Sequence, residues 1–99
     1  MWNVVIHKLV LSEDFKRVDP PSRRLILKSI YKKLSKDPES YGSPLSDLYK
    51  GYWKLRVAHY RVIYKIVKDT VMVMVIVIKV GIRRDGEIYN ELIHRLKKL

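Results

Sequence analysis

Residues Val71 to Ile78 read Val-Met-Val-Met-Val-Ile-Val-Ile, with no polar side chain on either alternating face. A strand sends successive side chains to opposite sides of its sheet, so such a run has no face to offer water. It predicts a strand buried on both sides in the middle of a sheet, with the methionines as core filler rather than a cofactor box. It is the only long apolar stretch in the chain, and it is far shorter than the roughly 20 residues that cross a membrane.

The segment before it has a different pattern. Tyr52-Trp53-Lys54-Leu55-Arg56-Val57 alternates with period two and is followed by Tyr60-Arg61-Val62-Ile63-Tyr64-Lys65-Ile66, which reads as a β-hairpin. With Ala58-His59 as the loop, Val57 pairs with Tyr60, while Arg56 faces Arg61, Lys54 faces Ile63 and Tyr52 faces Lys65, these three pairs on one surface. Ala-His is a poor signal for a primed two-residue turn, and a longer loop would shift these pairs. Two arginines directly opposite one another are destabilising unless an anion lies between them.

Elsewhere, Trp2 to Leu11 suits a first strand, with Ser12 capping a short helix through about Val18. Asp19 is expected to cap a second helix with Pro20 at its first position, and Leu27, Ile30, Tyr31 and Leu34 mark its apolar side. Arg24, Lys28, Lys32 and Lys36 lie on the other side, and Asp37-Pro38 ends the helix. Residues 37–48 read as a loop. After Gly81, Asp85 can cap a last helix carrying Ile88, Leu92, Ile93, Leu96 and Leu99 along one side. The order β-α-α-β-β-β-α predicts an α+β fold, a curled antiparallel sheet with helices on one side. At 99 residues and 47% apolar content the chain makes a single domain, 1–99. It has no cysteine, which excludes a disulfide framework or thiolate metal site, and no signal peptide, so a cytoplasmic protein without a membrane role is expected.

Charge narrows the function. Between Lys50 and Arg84 there are nine Lys or Arg and one acid, Asp69, so this stretch carries +8 of the net charge of +11. Such a density repels itself and favours a polyanionic partner, with nucleic acid foremost. His7, His59 and His94 show no two-ligand spacing and are expected in turns or on the surface; the acids form no evident cluster, so no metal or other cofactor is expected.

The hairpin elements Tyr-Trp-Lys-Leu-Arg and Tyr-Arg-Val-Ile-Tyr, the valine-rich strand, and Val-Gly-Ile-Arg-Arg-Asp-Gly-Glu-Ile-Tyr at 80–89 resemble the RelE family of bacterial and archaeal toxins, within the RelE/ParE superfamily. The resemblance spans nearly the whole chain and is specific in its last half. It implies a ribosome-dependent endoribonuclease that enters the A site and cuts mRNA, restrained by a cognate antitoxin protein. Lys54, Arg56, Arg61, Arg83 and Tyr89 fall on family active-site positions, while a second family lysine is Tyr52 here.

The chemistry can be set out beside the resemblance. Metal-free RNA cleavage needs a base for the 2′-hydroxyl, cationic donors for the phosphorane and stabilisation of the departing 5′-oxygen. Lys54 is the expected base, with like-charge repulsion from the nearby arginines favouring its neutral form. Arg56 and Arg61 would grip the scissile phosphate in forks, and Arg83 would stabilise the leaving side. Tyr89 would stack on or orient a nucleotide, though periodicity equally suits a core aromatic. Tyr52, Lys65 and Arg84 extend the expected phosphate-binding surface, and Lys28 and Lys32 offer a contact to rRNA. Two other classes stay open: a ParE-like toxin that poisons DNA gyrase by protein contact, and a non-catalytic RNA-binding module using the same groove.

Overall fold

The computed structural model describes residues 2–46, 49–68, 73–82 and 87–99, the side chains of Val73 and Met74 excepted. Residues 73–78 of the apolar run form the first part of β5 (Val73–Ile82), which lies between β1 (Asn3–Ile6) and β4 (Tyr60–Lys68). Next come β3 (Tyr52–Val57) and the two-residue β2 (Ser43–Pro44), giving the sheet order β1-β5-β4-β3-β2. All neighbours are antiparallel except β1 and β5, which run parallel. The sheet is therefore mixed, not purely antiparallel as expected. A helical crossover between β1 and the rest of the sheet permits that parallel pairing. With a Cα radius of gyration of 12.7 Å, the chain has the size of one domain.

Helices cover both faces of the sheet, not one. On the first face, Val62 and Tyr64 of β4 and Val75 and Val77 of β5 meet Val10, Phe15, Ile26, Ile30 and Leu34. On the second, Ile63 and Ile78 meet Ile88 and Leu92 of the last helix, α3 (Glu87–Lys98). This explains the uninterrupted apolar run: each alternating set of side chains in β5 has its own core.

The register of β4 on β5 slips between Ile63 and Tyr64, which pair with Lys79 and Val77, leaving Ile78 as the extra residue of a bulge. The slip restores Val80 to the first core. It also turns Lys79 towards α3, where its Nζ lies 3.6 Å from Glu91. β1 ends at Ile6 opposite Val77, so the β5 edge beyond it loses its strand partner. There Asp14 accepts the Val80 N–H at 2.8 Å, and Arg95 donates to the Ile78 carbonyl at 2.9 Å. Two side chains thus satisfy one donor and one acceptor of the uncovered edge.

The first helical stretch starts earlier than Ser12. His7 caps it, its Nδ1 accepting from the Leu9 N–H at 3.1 Å, and Ser12 lies inside the π-helix Val10–Asp14, before the 3-10 helix Phe15–Arg17. Asp19 caps α1 (Pro20–Ser29) as expected, accepting from the Ser22 N–H, with Pro20 at its first position. Hydrogen bonds from Ser22, side chain first and then backbone, hold the Asp19 carboxyl below the ordinary aspartate range. Its cap is thus fully formed above that range and is lost as pH falls through the lowered value.

α1 runs on into the π-helix Ile30–Leu34. Here Ile26, Ile30 and Leu34 are fully buried, whereas Tyr31 is 51% exposed. The wider π turn keeps residues four apart on one side and swings Tyr31 outward. On α3, Ile88 and Leu92 are buried, Ile93 faces solvent as does Leu99 just past the helix end, and Arg95 takes an inward position. The expected Asp85 cap lies outside the described residues. The segment read as a loop contains a short helix, α2 (Pro38–Tyr41), capped by Asp37, and the strand β2.

The hairpin turn holds Ala58 at φ +50°. This left-handed conformation costs an L residue roughly 1 kcal/mol. Ala58→Gly removes that strain while making the unfolded chain more flexible. The expected net gain is about 0.5 kcal/mol, read as a rise of a few degrees in Tm; an unchanged or lower Tm would contradict the strain argument.

Candidate active site

The β3–β4 ladder pairs Tyr52 with Lys65, Lys54 with Ile63, Arg56 with Arg61 and Val57 with Tyr60, the register that an Ala58-His59 loop predicts. The two opposed arginines divide their roles. Arg56 is exposed, whereas Arg61 is only 5% exposed and its guanidinium donates to the carbonyls of Ala58 at 3.4 Å and Tyr60 at 2.9 Å. β2 adds Ser43 opposite Lys54 and Pro44 opposite Trp53. Together these elements form a cleft of about 210 Å³ lined by Tyr41, Ser43, Lys54, Arg56 and Arg61. Among the described residues, three cations and no carboxylate line it, which focuses positive potential on its interior.

Lys54 leads from this cleft to the second core. Its Nζ lies 3.5 Å from the Tyr89 hydroxyl. Tyr89 packs against that core and stacks on Tyr49, with ring centroids 5.7 Å apart, while the Tyr49 hydroxyl donates to the Tyr89 carbonyl at 3.1 Å. Tyr89 is thus both a packed aromatic and a neighbour of the candidate base. Tyr52 packs against the same core, with Lys65 Nζ 5.9 Å from its ring centroid. Lys28 and Lys32 are exposed on the helical layer across the sheet, away from the cleft. Arg83 and Arg84 lie outside the described residues.

Other cations of the basic stretch have internal partners. Lys79 bonds Asp14, and Lys68 bonds Glu39 and lies 5.5 Å from the Trp2 ring. Among the described residues no group of three or more His, Cys, Asp or Glu is placed to hold a metal, and no helix is long and apolar enough to cross a membrane.

Tyr41, Ser43 and Tyr49 are the site residues that sequence reasoning missed. Two residues of strand give no measurable periodicity, and Pro38, Gly42 and Pro44 look like loop punctuation. Gly42 in fact seats the segment. A Cβ there would lie 1.8 Å from the Tyr64 hydroxyl and 2.9 Å from the Lys54 carbonyl. The fully buried Tyr64 donates to the Pro38 carbonyl at 2.5 Å, and burial raises its phenol above the ordinary tyrosine value. Gly42→Ala is therefore expected to destabilise the chain by roughly 2–4 kcal/mol, through overpacking and the displaced hydrogen bond. A urea midpoint equal to that of the parent would show that the segment is not seated this way.

The chain resembles the toxin–antitoxin complex RelBE2 of Mycobacterium tuberculosis, with a TM-score of 0.74 and 23% identity over 83% of this chain and 98% of that one. It also resembles the isolated E. coli RelE toxin, with a TM-score of 0.61 and 18% identity over 97% and 99% of the two chains. A YoeB/ParE toxin from Agrobacterium tumefaciens follows at a TM-score of 0.60 and 19% identity, over 83% and 99%. At these identities the likeness shows the fold. No curated protein matches the chain significantly. The family model for the ParE toxin of type II toxin–antitoxin systems, parDE, matches residues 8–85, and the chain belongs to that family, within the RelE/ParE superfamily.

Proposed function

We propose that this toxin is a ribosome-dependent endoribonuclease that cuts mRNA in the decoding A site and is restrained by a cognate antitoxin. The main support is the convergence of Lys54, Arg56 and Arg61 on one cleft, with Lys54 Nζ 3.5 Å from the Tyr89 hydroxyl. In this reading a ribose 2′-oxygen attacks the adjacent phosphorus while Lys54 takes its proton. Arg56 and Arg61 hold the phosphorane oxygens as charge grows, and Arg83 serves the leaving side. The bond to the 5′-oxygen then breaks, that oxygen takes a proton from water, and the products are a 2′,3′-cyclic phosphate and a 5′-hydroxyl. The cleft alone does little to align an RNA chain for in-line attack. A codon held in the A site supplies that alignment, which accounts for dependence on the ribosome.

Primer extension on mRNA bound to programmed ribosomes tests the reading: in-frame cuts at the A-site codon are expected. The ParE family match favours a second reading, a toxin that acts on DNA gyrase by protein contact. Intact mRNA together with gyrase-linked DNA breaks would establish that alternative and overturn the nuclease.

A further inference from the structure

We infer that the outer lip of the cleft, formed by Tyr41 beside Ser43, is a nucleobase subsite in which Tyr41 stacks on a base next to the phosphate held by the cations. The inference deepens the nuclease reading and rests on it only for the identity of the RNA. Tyr41 is 47% exposed yet lines the same cleft as Lys54, Arg56 and Arg61. Among the described residues its ring stacks on no other aromatic, its hydroxyl makes no hydrogen bond, and no ion or ring contact holds it. Tyr89 differs, with Tyr49 stacked on its ring and Lys54 at its hydroxyl.

A half-solvated aromatic beside a cationic cleft suits a ligand that joins a flat ring to an anionic group, as a single-stranded nucleotide does. Ser43, opposite Lys54 in the ladder, adds a hydroxyl that can donate to a base edge or a phosphate oxygen. The seat of Gly42 on Tyr64 fixes the backbone of the lip next to Tyr41.

The test compares Tyr41→Ala, Tyr41→Phe and Tyr31→Ala in the full chain. Tyr31 is a matched exposed tyrosine on the helical layer across the sheet, at 51% exposure. Two readouts are needed: anisotropy with a fluorescein-labelled single-stranded RNA oligonucleotide, and the rate and position of cuts on programmed ribosomes. Tyr41→Ala should weaken oligonucleotide binding about 5- to 150-fold, the range set by loss of one base–aromatic stack, and redistribute cuts among codons. Tyr41→Phe and Tyr31→Ala should stay within about twofold of the parent, because the ring and not the hydroxyl carries the stack. Equal oligonucleotide affinity for Tyr41→Ala and the parent would overturn the subsite, even if ribosomal cleavage is found. A parent that cuts no mRNA while Tyr41→Ala selectively loses oligonucleotide binding would overturn the nuclease and leave the subsite standing.

Discussion

Asp14→Ala should cost the chain about 3 kcal/mol, a large share of the stability of a small domain. The Asp14 carboxylate accepts from Lys79 Nζ at 2.7 Å, from Arg95 at 2.6 and 3.1 Å, and from the Val80 N–H at 2.8 Å. Asp14, Lys79 and Arg95 are 4, 7 and 4% exposed, so truncation strands two buried cations and a backbone donor. Breaking a buried pair in this way costs about 3–5 kcal/mol, against a total stability of about 5–15 kcal/mol for a domain. Glu91 at 3.6 Å from Lys79 and Glu13 at 3.3 Å from Arg95 remain as weaker partners and keep the loss towards the lower figure. Asp14→Asn should fall between parent and Ala, since its amide oxygen can still accept from Val80. Urea titration of the three proteins measures this order; an Asp14→Ala midpoint within about 1 kcal/mol of the parent would show that the network is solvated and dispensable.

The second large effect concerns Lys54. If it is the base for the 2′-hydroxyl, Lys54→Arg keeps the positive charge but cannot give up its proton at any working pH. General-base catalysis contributes about 10²- to 10⁴-fold, so single-turnover cleavage on saturating ribosomes should fall by that factor while ribosome affinity changes little. Tyr89→Phe removes the hydroxyl 3.5 Å from Lys54 Nζ and should cost less, since the base itself is retained. Normal cleavage by Lys54→Arg would place the base elsewhere, on the ribosome or on the mRNA.

Both experiments turn on groups with different visibility in the sequence. The Lys54 site lies on a hairpin whose strict alternation, with Ala58-His59 as the loop, predicts the observed register from Tyr52↔Lys65 to Val57↔Tyr60; alternation alone left the loop length open. Asp14 meets Lys79 and Arg95 across 65 and 81 residues of chain. No spacing or periodicity encodes a contact of that range.

The sequence by itself determined the interior strand β5, the hairpin and its opposed arginines, and the Asp19-Pro20 start of α1. Each rests on side-chain alternation or on capping chemistry within a few residues, where geometry is dictated by the backbone. Tertiary structure alone decided that β1 pairs in parallel with β5, that helices occupy both faces, and that a bulge at Ile78 turns Lys79 towards Asp14. It also decided that Pro38 to Pro44 folds back to put Tyr41 and Ser43 on the cleft, because the bond from Tyr64 to Pro38 and the close contact at Gly42 form only when β4 is already in place. Local pattern sets which way a side chain points, whereas its eventual neighbour depends on packing between segments that the chain brings together only on folding.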